Sequence, residues 1–251
     1  RRDATRWEWR LKRNVYRRSG LQVTAPSAWL CELARASILG CRPVRHIPNA
    51  VDTGVFRPRD KRTLRRTLGW PESAVIMLFV AESLDNPFKD FALLPAALRA
   101  LAPVWRDRVV LVALGSRPDG LEAACGGFPM LTPGYLSDPQ AVADCHAAAD
   151  LLVYPTRADN QPRVVLEAMA CGCPVVAGEV GGLPELVVPG ETGYLTRPGD
   201  AADMGRRITE LLDDAGARQR MGDAARRMVV ARHGVEGHRT AMLAVYAEAV
   251  R

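Results

Sequence analysis

The chain has 251 residues, of which 48% are hydrophobic and 25% are charged, and this is the ordinary composition of a globular protein. Its length accommodates one large α/β domain, or one domain and part of another, and no apolar run approaches the roughly 18 residues that a membrane-spanning helix requires. The net charge of +6 arises wholly in residues 1–20, which hold eight basic and two acidic side chains. We expect no nucleic-acid partner, because a nucleic-acid binder spreads Lys and Arg over a whole binding face.

The six cysteines and four histidines show none of the spacings that bind zinc. Cys171 and Cys173 form a CxC pair rather than a CxxC pair, and the histidines are scattered along the chain. We therefore predict free thiols, a cytoplasmic location and no metal site.

The predicted elements begin with a helix in the basic segment. Trp7, Leu11 and Val15 follow one another at intervals of four, which is the spacing of an apolar stripe on one helix face. We interpret this helix as a solvated element that docks its stripe on a neighbouring part of the protein. Peripheral association of a basic amphipathic helix with a membrane surface is the alternative.

Short β-branched or aliphatic runs then alternate with helical patterns. Strands are predicted at 21–27, 45–49, 74–81, 109–115, 130–136, 151–155, 174–178 and 193–196, and helices at 28–37, 60–68, 89–102, 138–149, 163–172 and 200–213. The continuous apolar character of 74–81 and 109–115 suits strands that are buried on both faces. The predicted fold class is α/β, with a doubly wound parallel, Rossmann-like sheet whose ligands bind beyond the carboxyl ends of the strands.

Two features divide the chain into parts. The segment HIPNAVDTGVFRP (46–58) is rich in turn-forming residues and is predicted to be an interdomain junction. Towards the C-terminus, the sequence contains only helical patterns. We expect residues 1–47 to be the remnant of a preceding domain with its hinge region, or an appendage to the main domain. We expect 48–235 to be the sheet domain and 236–251 to be a C-terminal helix.

A strand, a loop and a helix follow one another in DLLVYPTRADNQPRVVLEAMACG, and two carboxylates accompany them. The helix is predicted to begin near Pro162 with Asn160 or Gln161 as its N-cap, and a helix N-terminus attracts anions. Glu167 lies about 7 Å along the axis from that end, and Asp159 lies on its opposite side. From spacing alone, a plain cap and a buried structural glutamate are the simpler interpretation.

Three motifs, however, occur together. The first is the junction HIPNAVDTGVFRP, the second is AESLDNPFKDFALLPAALRAL, and the third is DNQPRVVLEAMACGCPVVAGEVGGLPELVVPGETGYLTRPGD. In order and spacing they resemble the interdomain junction, the phosphate-binding lysine segment and the two-carboxylate, glycine-rich segment of family 4 glycosyltransferases, the retaining class with the GT-B fold. The resemblance covers residues 23–198 and corresponds to the nucleotide-sugar-binding, C-terminal half of these enzymes. It implies that residues 1–47 are the remnant of the acceptor-side domain and hinge region, and that the helix at 236–251 crosses back towards the N-terminal half.

The resemblance implies a role for each matching residue. Glu167 matches the carboxylate that binds the ribose hydroxyls, Asp159 the one that holds hydroxyls of the donor sugar, and Lys89 the lysine that neutralises the diphosphate leaving group. These three are the implied catalytic residues. The other matches are implied to bind the donor: Asn160, Gln161, Pro162, Arg163 and Val164 at the sugar and diphosphate, Gly134, Tyr135 and Leu136 at the base, and Gly181 and Gly182 beside the site.

The implied reaction transfers a sugar from a nucleoside-diphosphate sugar to a glycan or lipid-linked acceptor hydroxyl, with retention of anomeric configuration. The family setting is bacterial cell-surface glycan or exopolysaccharide synthesis, in the cytoplasm or at the inner face of the membrane. No metal cofactor is expected, because a helix N-terminus and a lysine can meet the charge that develops on the departing diphosphate. The acceptor-side domain would precede Arg1, so we expect this chain alone to bind the nucleotide weakly and to transfer nothing.

Departures from the family pattern keep a second interpretation open, in which the chain is a catalytically incomplete nucleotide-sugar-binding module that serves as a scaffold or regulator. One expected cation of the diphosphate site is replaced, and Arg157 or Arg163 is the hypothetical substitute. The departures are Ala50 for glycine, Glu82 near an expected arginine, Phe88 for arginine, Asp90 for glycine and Asp159 for glutamate.

Other nucleotide-binding folds fit the sequence less well. Nucleotide-sugar epimerases lack the junction combined with the carboxylate motif, and glycogen-type phosphorylases need a cofactor-binding lysine that we cannot place. A dinucleotide-binding dehydrogenase requires a G-x-G-x-x-G after a strand, which this sequence lacks. The nucleotide base, the sugar, the acceptor and the oligomeric state stay open.

Overall fold

The computed structural model describes residues 4–83, 88, 90, 92–101, 103–116 and 121–250 of the chain. The first part of the chain forms a small two-stranded sheet, and the rest forms a six-stranded sheet. None of the helices in these described ranges has the length and apolar character that a bilayer crossing requires.

The small sheet pairs β1 (Val23–Ala25) with β2 (Val44–His46) in parallel. Helix α2 (Ala28–Ala36) lies between them in the chain, and the hydroxyl of its N-cap residue accepts a hydrogen bond from the Leu30 amide at 3.0 Å. We call α2, β1 and β2 the N-terminal unit. Its own buried contacts are made by Ala25, Cys31, Ala34 and Val44.

Helix α1 (Thr5–Arg18) precedes this unit and confirms the helix predicted in the basic segment. The predicted apolar stripe is exposed, with Trp7 at 66%, Leu11 at 47% and Val15 at 53% of their full exposure. Because no residue of α1 is buried, the expected docking of this stripe is not made within the described part of the chain.

The larger sheet consists of β3 (Val75–Ser83), β4 (Val109–Ser116), β5 (Met130–Gly134), β6 (Leu151–Tyr154), β7 (Val175–Gly178) and β8 (Gly193–Thr196). It is parallel throughout, in the order β5–β4–β3–β6–β7–β8. The chain moves outward from β3 to β5 on one side, returns to the centre at β6, and then moves outward on the other side. This arrangement confirms the predicted doubly wound parallel sheet and puts its switch point between β3 and β6.

Helices connect the strands and form the C-terminal part of the chain. Four of them begin at an aspartate whose side chain accepts a backbone hydrogen bond, as is typical of N-caps. The helices are α3 (Lys61–Leu68), α4 (Leu93–Leu98), α5 (Leu121–Ala124), α6 (Pro139–Ala148), α7 (Arg163–Ala170), α8 (Ala201–Asp213), α9 (Ala215–Arg232) and α10 (Val235–Ala249).

Apolar clusters cover both faces of the six-stranded sheet. Ile76 and Leu78 of β3 belong to one cluster, whereas the alternating Met77 and Phe79 belong to the other. Successive side chains of a strand point to opposite faces, so two-sided burial requires an uninterrupted apolar run. This explains why the central strands were recognisable from the sequence.

The junction and the C-terminal helices hold the parts of the molecule together. Arg226 of α9 donates hydrogen bonds to the carbonyl oxygen of Phe56 at 2.7 Å and to that of Ala170, at the end of α7, at 2.9 Å. Glu248 of α10 forms an ion pair with Arg45 of β2. The C-terminal helix therefore contacts the N-terminal unit.

The predicted elements are present, with differences at their ends. Strand β2 ends at His46 rather than at residue 49, because the chain enters the proline-containing junction there. Within the described residues, the helix predicted over 89–102 is confined to α4, while residues 89, 91 and 102 lie outside the description. The short helix α5 was not predicted.

Candidate functional site

The carboxyl ends of β3 and β6 meet at the switch point of the sheet, where ligands of doubly wound sheets bind. The loop after β6 (155–162) leads into α7, and the loop after β7 (179–182) packs against it. Two pockets open here. One is lined by residues of α7 and the other by the loop that precedes it.

Two glycines allow the loops to touch. Gly181 has a positive φ of 56°, and a Cβ at this position would overlap the carbonyl oxygen of Asp159. A Cβ at Gly182 would overlap the carbonyl oxygen of Asn160 and would lie 2.8 Å from the Cβ of Ser27. The backbone of the glycine loop is thus in direct contact with the residues that follow β6.

Helix α7 has Pro162 as its N-cap residue, and no side chain caps it. The prediction that Asn160 or Gln161 provides the cap is therefore wrong. Asn160 Oδ1 instead accepts a hydrogen bond from the hydroxyl of Ser27, the N-cap residue of α2. Gln161 Oε1 accepts a hydrogen bond from the backbone amide of Asn49 at 2.6 Å. Without a side-chain acceptor, the first N–H groups of α7 keep their capacity to bind an anion.

The first pocket has a volume of about 540 Å³ and contains Glu167. Tyr135 and Leu136, which follow β5, line it together with Arg163 and Val164 of α7. Gly134 ends β5 with a φ of 81°, in the left-handed region that favours glycine, and so turns the chain towards this pocket. The residues predicted to face the base and the ribose are thus close together.

The Glu167 carboxylate is only 13% exposed, and this burial raises its pKa, while Arg163 opposes the shift. Arg163 Nη2 lies 3.8 Å from Glu167 Oε1, and His146 Nε2 lies 3.9 Å from Glu167 Oε2. Burial lowers the pKa of His146 to about 3, so the imidazole is neutral at physiological pH. Both distances exceed those of hydrogen bonds, and the carboxylate therefore retains acceptor capacity for hydroxyl groups in the pocket.

The second pocket has a volume of about 510 Å³ and contains Asp159. The Tyr154 hydroxyl donates a hydrogen bond to Asp159 Oδ2 at 2.6 Å, and the backbone amide of Asn160 donates one to Asp159 Oδ1 at 2.8 Å. These bonds orient the carboxylate.

The cationic part of the predicted site is described only partly. Lys89 lies outside the described residues. Arg157 lines the second pocket and forms an ion pair with Asp90, with 2.7 Å between Nε and Oδ2. The side chain of Arg163 is 70% exposed at the first pocket. Among the residues that the structure describes, no cluster of His, Cys, Asp and Glu could hold a metal ion.

The structure adds residues that the sequence did not indicate. Phe56 of the junction and Pro139 of α6 line the first pocket, and Trp29 of the N-terminal unit lines the second. Glu185 accepts hydrogen bonds from backbone amides of α2. Trp29 lies far from the carboxylates in the sequence, and Phe56 and Glu185, although they stand within the quoted motifs, carry no local signal of these contacts.

Comparisons with known proteins agree with this geometry. The family described as Glycosyl transferases group 1 matches residues 74–214. The D-inositol 3-phosphate glycosyltransferase of Geodermatophilus obscurus is 36% identical over 196 residues, which are 70% of this chain and 43% of that protein. The chain spans less than half the length of the first curated relatives that it matches.

Solved structures share the fold over nearly the whole chain. The sucrose-phosphate synthase of Thermosynechococcus elongatus superposes with a TM-score of 0.83 at 26% identity, covering 99% of this chain and 62% of that chain. Anabaena HepE in complex with UDP and glucose superposes with a TM-score of 0.78 at 22% identity, covering 97% of this chain and 67% of that chain.

Proposed function

The chain belongs to the group 1 glycosyl transferases and has their GT-B type of sheet, and we propose that it is the donor half of a retaining family 4 glycosyltransferase. Its substrate in this proposal is a nucleoside-diphosphate sugar. One observation carries the proposal: two pockets adjoin the uncapped start of α7, and each contains one carboxylate.

The first pocket suits the nucleoside part of such a donor. Glu167 is buried and retains acceptor capacity, which matches the two hydroxyls of a ribose. The exposed ring of Tyr135 and the side chain of Leu136 offer an apolar surface for a base. The start of α7 separates this pocket from Asp159 and offers backbone N–H groups to the diphosphate.

The second pocket suits the transferred sugar, whose hydroxyls would donate hydrogen bonds to Asp159. Breaking the bond between the sugar and the diphosphate develops negative charge on the leaving group. Groups placed in advance to meet that charge stabilise the transition state. We assign this part to the N-terminus of α7, to Arg163 and to Lys89, with no metal required.

The whole reaction needs an acceptor site, and we place it in the part of the longer protein that this chain does not include. The proposed acceptor is a glycan or lipid-linked hydroxyl in bacterial surface-glycan synthesis, with the protein in the cytoplasm or at the inner membrane face. The chain alone is expected to bind the donor and to transfer nothing. Transfer by the purified chain would contradict this part of the proposal.

Calorimetric titration with UDP, GDP, ADP and their sugar conjugates tests the donor assignment, in the presence and absence of EDTA. UDP and UDP-glucose are the first probes, since the HepE structure contains UDP and glucose. We expect one nucleoside diphosphate to bind, unaffected by EDTA. Glu167→Ala should lower the affinity for this nucleoside diphosphate about 100-fold, because hydrogen bonds to a charged group are lost.

Glu236→Gln is the matched control, since Glu236 is 77% exposed and pairs with Arg239 on α10. It should leave nucleotide affinity unchanged. Asp159→Asn should weaken only the nucleotide sugar. No binding of any nucleoside diphosphate, or equal binding by wild type and Glu167→Ala, would contradict the proposed function. Binding without transfer, even after the missing half is supplied, would favour the catalytically incomplete module.

A further inference from the structure

The second pocket contains two exposed aromatic rings beside its carboxylate. Trp29 is 40% exposed and Phe88 is 61% exposed, and both line the pocket together with Asp159. Single exposed aromatic residues are common on protein surfaces, but two that line one pocket form an apolar surface of the kind that ligands cover.

Trp29 is held at the pocket by Glu185. This glutamate lies in the short 3₁₀ turn after β7, and its two carboxylate oxygens accept hydrogen bonds from the amides of Ala28 and Trp29, each at 2.9 Å. Ser27, the N-cap of α2, bonds to Asn160. The first turn of α2 is thus fixed to both loops of the site.

Phe88 is fixed by a different set of bonds. Its carbonyl oxygen accepts from the Thr156 hydroxyl at 2.9 Å and from the Arg157 amide at 2.9 Å. Both donors belong to the loop that carries Asp159. The backbone of Phe88 is therefore attached to the loop that carries Asp159, and the backbone of Trp29 is attached through Glu185 to the turn after β7. Fixing the backbone of both residues beside the carboxylate favours a defined ligand geometry.

The combination of rings and carboxylate matches the chemistry of a hexopyranose. Such a ring has apolar C–H faces, which pack on aromatic surfaces, and hydroxyls at its edge, which donate to carboxylates. A hydroxyl that donates to a carboxylate makes a charge-assisted hydrogen bond, and this bond favours sugars that have a hydroxyl at the matching ring position. The aromatic surface selects for a flat apolar face.

We propose that Trp29, held in place by Glu185, is a specificity-determining residue that stacks on the hexopyranose of the nucleotide sugar, with Phe88 as the second aromatic wall. This inference rests on the proposed function, because it assumes that a nucleotide sugar binds. It adds that part of the sugar site comes from the N-terminal unit, through a side chain far from the carboxylate motif.

The test compares two affinities for each variant: that of the nucleoside diphosphate and that of its glucose conjugate, measured by calorimetry. Trp29→Ala should lower the affinity for the glucose conjugate about tenfold relative to wild type and leave the affinity for the nucleoside diphosphate unchanged. Trp29→Phe should recover part of this loss, because an aromatic face is restored. Phe88→Ala should act in the same direction.

Glu185→Gln tests the positioning step, since Glu185 does not line the pocket. The side-chain amide of glutamine has one acceptor oxygen in place of two, so it can accept only one of the two backbone hydrogen bonds. The affinity for the glucose conjugate should therefore fall again, while the affinity for the nucleoside diphosphate should not. Trp7→Ala is the control: it removes an exposed tryptophan from α1 and should change neither affinity. Thermal melting of each variant verifies that it is folded.

The outcomes separate this inference from the proposed function. If wild type binds no nucleoside diphosphate, both are overturned. If it binds, but Trp29→Ala lowers neither affinity or lowers both equally, only this inference is overturned. It is also overturned if Trp29→Ala leaves the affinity for the glucose conjugate unchanged and instead lowers the affinity of the nucleotide-loaded protein for free methyl glucoside. The ring of Trp29 would then belong to the acceptor site.

Discussion

The two pockets that flank the start of α7 are built differently. The first lies within the six-stranded sheet domain and the junction, and its carboxylate, Glu167, is buried, with the Arg163 guanidinium at 3.8 Å and the neutral imidazole of His146 at 3.9 Å. The second combines two loops with the N-terminal unit, and its carboxylate, Asp159, is held by hydrogen bonds of 2.6 and 2.8 Å.

This difference indicates two ways of preparing a carboxylate for a ligand. Glu167 is desolvated, and in the proposed function it gains its hydrogen bonds when a ligand enters, so we expect it to contribute affinity. Asp159 is oriented in advance by Tyr154 and its neighbouring amide, so it contributes geometry. Perturbing the first pocket should therefore change nucleotide affinity, whereas perturbing the second should change sugar selection and the packing between the loops.

The largest effect is expected for Gly181→Ala, in the second pocket. The positive φ and the overlap of the new Cβ with the Asp159 carbonyl should lower the free energy of unfolding by about 3 kcal/mol. The loop shift should also weaken the nucleotide sugar more than the nucleoside diphosphate. Denaturant titration and calorimetry measure the two effects.

Gly190→Ala is the matched control for this substitution. Gly190 also has a positive φ, of 79°, but a Cβ there would meet no atom within 4 Å. It should lose only the conformational term, about 1 kcal/mol, with unchanged affinities. Equal losses at both glycines would show that the contact between the loops is unimportant.

An intermediate effect is expected from the pH dependence of the first pocket. Because the pKa of Glu167 is raised above its ordinary value of 4.5, the folded protein takes up its proton more readily than the unfolded chain. Ionisation of Glu167 thus lowers stability as pH rises from below 4.5 through the raised pKa. Glu167→Gln should therefore melt at a higher temperature than wild type at pH 7, with the difference decreasing in acid.

Binding should show the opposite trend with pH. The ionised carboxylate is the stronger acceptor, so wild-type affinity for the nucleotide sugar should fall as pH decreases towards the raised pKa. Glu167→Gln should bind about 30-fold more weakly at pH 7 and lack this dependence. A wild type and a variant with parallel pH profiles would argue against a role for Glu167 in donor binding.

The smallest effect is expected for Arg163→Ala. The Arg163 side chain is 70% exposed, so solvent screens its attraction for a diphosphate, and we predict an affinity loss of about fivefold. Arg157→Ala is the comparison, since Arg157 is engaged with Asp90 in the second pocket. Measurements at low and high salt should show the Arg163 effect decreasing with ionic strength. Unchanged affinity for Arg163→Ala would remove it as a substitute cation.

Local patterns predicted the sheet well, and the reason is physical. A strand buried on both faces must be apolar at every position, so β3 and β4 were recognisable without tertiary information. The cap of α7 was predicted wrongly: asparagine is a good capping residue by type, but the Asn160 side chain accepts a hydrogen bond from Ser27, and the Gln161 side chain accepts one from the Asn49 backbone. Those partners are distant in sequence, and a local rule cannot include them.

By itself, the amino-acid sequence determined the alternation of strands and helices, the spacing of Asp159 and Glu167, and the family resemblance. These properties depend on residues close together along the chain. Only the tertiary structure decided that the two carboxylates line separate pockets and that Trp29, whose backbone amide bonds to Glu185, lines one of them. The reason is that the N-terminal unit reaches the site through space, by bonds between residues more than a hundred positions apart.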